Sequence, residues 1–190
     1  ITLTGGTNPQ CAGALVTFSV TPTNGGSNPT YQWKVNGTNV GVNGATHSTN
    51  TITNGQAVTC VMTSDAACVS GNPATSNSIT MTVNSPPAIS SFTPMGGGAG
   101  TSVTILGSGF ISVSSVKFNG VSSSYTVNSA NQITATAPVG VSTGLISVTT
   151  PCGTANSAAN FNGTVTLNVK VFIEGFYTGG GQMTGVLSPT

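Results

Sequence analysis

Apolar residues in this chain recur at every second position, in short runs separated by Gly, Asn and Pro. Val16, Phe18 and Val20 form one such run, Tyr31, Trp33 and Val35 the next, and Val58, Cys60 and Met62 a third. Ile79, Met81 and Val83 form a fourth. A period of two places one edge of each run on a single face of an extended strand, and a 3.6-residue period is almost absent. The stretches NGGSNP (24–29) and NGT (36–38) carry turn chemistry, because Asn and Gly tolerate positive φ. The pattern predicts an all-β chain of antiparallel sandwiches.

The clearest break is NSPPAISSF. Pro86 and Pro87 cannot donate ladder hydrogen bonds, so a strand must end before them. The predicted organisation is a first sandwich over 1–84 and a second over 85–163, followed by a strand and Gly-rich tail over 164–190. Beyond the break, AISSFTP, SVTILGSGF, SSVKFNG, SSYTVN, QITATAP, GLISVTTP and GTANSAANFNG supply enough candidate strands for a complete small sandwich.

Charge excludes several functions. Only 3% of the 190 residues are charged, and the net charge is +1. There are three Lys, no Arg, Asp65, Glu174 and the single His47. Three scattered lysines cannot neutralise a phosphate backbone, so no nucleic-acid partner is expected. With no basic amphipathic helix and no long apolar run, no membrane insertion is expected either. Hydroxyls and amides solvate the surface instead of ions, leaving little self-repulsion to oppose association. The opening ITLTGG has neither a charged nor an apolar leader region and reads as a processed chain or a fragment.

No catalytic or metal residue and no cofactor is expected. Acid–base work needs two titratable groups held together. Asp65 falls in a hairpin loop and Glu174 in the tail. His47 with Asp65 and a serine could compose a triad, but no nucleophile elbow is present, and GATHSTN reads as a turn with an exposed His47. The glycine runs MGGGAGTS and TGGGQM lead into no helix, so they are turns rather than phosphate cradles. Two acids are too few for a calcium site, and no CxxC or His–Cys cluster suits zinc. Trp33 with Tyr31 offers either a sugar-stacking platform or, more in keeping with this strand, a packed core. Lys34 and Lys117 lack an acid for an isopeptide crosslink. Asn36 and Asn162 begin N-G-T triplets that also read as turns.

The second half resembles the IPT/TIG family of immunoglobulin-like domains. The resemblance rests on PAISSFTPMGGGAGTSVTILGSGF, VKFNG, ITATAP and GLISVTT, with a Pro-ended first strand, a Gly-rich turn, G-x-G-F and an F-N-G turn over 87–163. DNA-binding relatives carry basic loops that are absent here. The first half is similar to PKD-like or Ig-like repeats of large Bacteroidota surface proteins, through CAGALVTFSVTPTNGGSNPTYQWKVNG and NGQAVTCVMTSDAACVSGNPATSNSITMTV. Together the resemblances imply two tandem immunoglobulin-like β-sandwiches with an extra C-terminal strand segment, in an extracellular or cell-surface protein. Spacing alone leaves the connectivity of Cys11, Cys60, Cys68 and Cys152 open. The resemblance implies a Cys11–Cys68 bridge with Cys60 as a core thiol, and Cys11–Cys60 as the rival pairing.

TVTLNVKVFIEGFY (164–177) closes the chain's strand pattern. Val165, Leu167, Val169, Val171 and Ile173 share one face, with Thr166, Asn168, Lys170 and Glu174 opposite and Phe172 the exception. It looks like the first strand of a further domain in the same Bacteroidota proteins. Five apolar side chains on one face call for burial. The expected function is a structural, non-enzymatic subunit of a homopolymeric filament. In it, this strand would add to another copy's sheet, with Phe172, Phe176 and Tyr177 at the interface. The alternative is a stalk segment of a large adhesin exported by type IX secretion. A weaker alternative is a carbohydrate-binding module, with glycans or host and environmental surfaces as partners.

Overall fold

A computed structural model describes residues 1–164. All regular structure in them is β. The first half holds β1 (Thr2–Gly5), β2 (Gln10–Cys11), β3 (Val16–Ser19), β4 (Thr30–Val35) and β5 (Thr38–Val40). It continues with β6 (Thr46–Thr49), β7 (Ala57–Thr63), β8 (Ala74–Thr75), β9 (Ile79–Thr80) and β10 (Val83–Asn84). The second half holds β11 (Ala88–Thr93), β12 (Gly96–Gly97), β13 (Ser102–Ser108), β14 (Ser115–Phe118) and β15 (Val121–Ser122). It ends with β16 (Ser124–Ser129), β17 (Gln132–Thr136), β18 (Gly144–Thr150) and β19 (Gly153–Gly163).

In the first half one sheet has the order β1-β3-β6 and the other β5-β4-β7-β8, with β9 also on β7. Val16, Phe18, Trp33, Val58 and Met81 are fully buried between them. Alternation explains which side faces in: on β3, Val16 and Phe18 are buried while Thr17 bonds outward to the Ser48 hydroxyl at 2.8 Å. The hairpin joining β4 to β5 turns on Asn36 and Gly37, at φ 48° and 82°. That pair of positive angles suits a two-residue turn that follows strand twist. The run Ile79–Val83 is not one strand. It changes partners, with β9 antiparallel to β7 and β10 parallel to β2.

In the second half the sheets are β11-β13-β17-β16 and β12-β19-β18-β14-β15. Their shared core contains Val103, Ile105, Phe118, Ile133, Ile146 and Phe161, with Phe118 edge-on to Phe161 at 5.0 Å. The G-x-G-F strand end has a steric basis. A side chain on Gly107 would strike the Ala88 carbonyl and the buried ring of Phe110. Asn119 and Gly120, at φ 43° and 83°, repeat the tight hairpin of the first half. On the outer face Thr93, Thr104, Thr134 and Thr126 stand in register across four strands. Such hydroxyl rows solvate a sheet face without charge. Among the described residues, no sheet mixes strands from the two halves.

Candidate functional site

Two features of the described residues are candidates for function: a cleft in the first half and the joint between the halves.

The cleft opens where the edge strand β5 of one sheet faces the edge strand β6 of the other. It encloses about 600 Å³, within the roughly 300–1,000 Å³ of small-ligand sites. Val35, Val40 and Ile52 supply its apolar lining, and Asn36, Thr38, Thr49, Thr51 and Gln56 its polar lining. No Lys, Asp or Glu lines it. Two amides are fixed by backbone donors. The Asn36 Oδ1 accepts from the Ala57 N–H at 2.9 Å, and the Gln56 Oε1 accepts from the Thr53 N–H at 2.8 Å. A backbone N–H can only pair with the amide oxygen, so each Nδ2 or Nε2 group is left as a donor. Neither amino group donates within the protein among the described residues.

His47 also lines the cleft, and its placement corrects the sequence reading. It lies on β6 rather than in a turn, opposite Phe18, and is half-buried rather than exposed. Its ring stacks on Trp33 with centroids 5.7 Å apart. Gly41, at φ 69°, makes room for it: an added Cβ would lie 2.5 Å from the His47 Nδ1. Burial lowers the imidazole pKa below its ordinary range. Trp33 is itself fully buried and donates its indole N–H to the Gly44 carbonyl at 2.9 Å. It is core, as its strand position implies, and not a sugar-stacking platform. Asp65 does not join His47. Its carboxylate accepts from the Asn28 N–H at 3.0 Å, against Gly26. No group of three or more His, Cys, Asp or Glu side chains that could hold a metal occurs among the described residues.

The joint contains the second correction. Cys11 is bonded to Cys152, 141 residues away, and not to Cys68 or Cys60. Cys60 is a buried free thiol, its pKa pushed up by burial, while Cys68 is free and exposed. The physical reason is position. Cys11 pairs with Asn84 at the very end of the first half, beside the connecting Ser85–Pro87. Cys152 occupies the turn between β18 and β19 of the second half. Ser85 and Pro86 pack closely on Gly109, where an added Cβ would lie 2.6 Å from the Pro86 oxygen. The halves are thus tied twice at one place, by the linker and by the disulfide.

Val165, Leu167, Val169, Val171, Ile173, Phe172, Phe176 and Tyr177 lie outside the described residues. No helix of the described residues is long and apolar enough to cross a membrane.

The family model for the IPT/TIG domain matches residues 87–182. No curated protein matches the chain. Among solved structures, the chain is similar to SGBP-B from a complex xyloglucan utilization locus of Bacteroides uniformis. The two are 21% identical with a TM-score of 0.41, over 82% of this chain and 47% of that one. It is also similar to SGBP-B of the Bacteroides ovatus mixed-linkage glucan utilization locus in complex with a heptasaccharide, at 16% identity and a TM-score of 0.32, over 85% and 44%. An auxiliary nutrient binding protein of Bacteroides thetaiotaomicron is 21% identical with a TM-score of 0.39, over 42% of this chain and 21% of that one. The chain therefore spans less than half the length of each of these proteins.

Proposed function

The chain belongs to the IPT/TIG domain family, and from that premise we propose that it is a non-catalytic, extracellular spacer segment of a secreted surface protein. In this reading a PKD-like module over 1–84 and the IPT/TIG module after it form one stiff unit. The observation that carries the proposal is the Cys11–Cys152 bond beside the linker. A single flexible linker lets modules swing, whereas two tethers at one joint, with Gly109 packed on the linker, restrict both bend and twist. A disulfide also fits an oxidising compartment outside the cytosol. Uncharged rows of Thr and Ser on the outer faces fit a segment that holds other parts apart without attracting ions.

Spacer is preferred here to filament subunit. The family match runs to residue 182 and takes in Val165 to Ile173, which supports counting that stretch within the modular array rather than as a free donor strand. Small-angle scattering with and without reductant tests the proposal. A spacer keeps one narrow distribution of dimensions when oxidised and broadens when reduced. Equal profiles in both states would remove the basis for it. Intact-mass measurement of the native protein distinguishes the two readings. A chain far heavier than 18.7 kDa supports the spacer, and a ladder of identical 18.7 kDa subunits the filament.

A further inference from the structure

We propose that the cleft between β5 and β6 binds a neutral oligosaccharide. This goes beyond the spacer reading and does not depend on it.

The argument is one of chemical complementarity. The Asn36 and Gln56 amide oxygens are already committed to backbone N–H groups, so the cleft offers their amino groups as oriented donors. The Thr38 hydroxyl makes no hydrogen bond within the protein among the described residues, and like His47 it lines the same space. Two pinned carboxamides therefore demand a ligand rich in acceptors. Absence of charge in the lining disfavours ions, since a carboxylate or ammonium would lose its water without gaining a counter-charge. Val35, Val40 and Ile52 favour a ligand that also has C–H faces. Hydroxyl and ether oxygens set on a partly apolar ring meet all of these conditions, and those are the features of an uncharged sugar chain.

The fixed oxygens also give a clean test. Asn36→Asp and Gln56→Glu keep the oxygen that holds the Ala57 or Thr53 N–H, and replace only the free amino group. The probes are three neutral hexasaccharides, a β-1,4-glucan, a β-1,4-mannan and an α-1,4-glucan, titrated into 15N-labelled protein. Hexagalacturonate and an uncharged Ser/Thr peptide serve as comparators. At least one neutral hexasaccharide should shift the amide signals of Thr38, His47 and Gln56. The double variant should weaken that binding about tenfold, the loss of one to two hydrogen bonds, with the remaining spectrum unchanged. If the double variant does not fold, Thr38→Val removes a donor without touching either pinned amide, and should weaken binding about threefold. The proposal is overturned if none of the three sugars binds, if hexagalacturonate or the peptide binds more tightly, or if the variants bind as the parent does.

Discussion

The two halves share an architecture and differ in how completely they close. Thirteen buried residues form the second core, against seven in the first, so the second half has the larger core. Its long strands β18 and β19 run seven and eleven residues. In the first half the edge strands β5 and β6 have three and four residues, and the two sheets part along them to leave the cleft. The second half opens less, with a cavity of about 200 Å³ beside Phe92 and Ser157. The first half, left open along an edge with a half-buried His47 in the gap, keeps a wider cleft and a smaller core.

The largest test of this contrast is Trp33→Ala. Removing the biggest side chain of the smaller core should cost about 3–5 kcal/mol. Calorimetry should show the first half's transition collapse while the second half's stays in place. If both fall together, the halves are a single cooperative unit and the contrast is void. Next is Cys152→Ser. Loss of the bridge should lower stability by about 2–4 kcal/mol and free the joint, as read by denaturant melts and by inter-module distances between spin labels. Gly109→Ala should cost about 1–3 kcal/mol, because a Cβ there meets the Pro86 oxygen at φ 69°. Its effect should appear as a changed angle between the halves more than as a loss of either core.

The smallest effect is on pH. His47 has a lowered pKa in the folded chain, so the unfolded chain binds the proton more readily. The first half should then hold its full stability above the ordinary value of 6.5. It should lose some as pH falls through that value toward the folded one. His47→Gln should flatten the slope between pH 7 and 5 in melts of the first half and leave the second half's profile alone.

Much of the fold is legible in the sequence because burial and alternation coincide. Val103 and Ile105, or Val16 and Phe18, announce their strands, and the Asn-Gly pairs at 36–37 and 119–120 announce their turns. β6 is not legible in the sequence, for the opposite reason. THST has no apolar residue, since an edge strand turns polar side chains to the gap and to solvent alike. For Ile79–Val83 the alternation is real but hides a change of partners that only the register shows. The Cys11–Cys152 bond is invisible to any argument that pairs cysteines within a module, because it depends on where two halves meet. The cleft is silent in sequence too: Asn36 and Gln56 look like ordinary turn residues until their oxygens are seen to be engaged.

The disulfide has a mechanical consequence. If the chain is pulled from its two ends, tension reaching residue 11 crosses the sulfur–sulfur bond and re-enters the backbone at residue 152. Residues 12–151 then lie off the loaded path, and among the described strands β1, β2 and β19 bear the strain. In the oxidised protein most of both modules cannot be drawn out. Reduction would return to the load some 140 residues, roughly 460–500 Å of extensible chain.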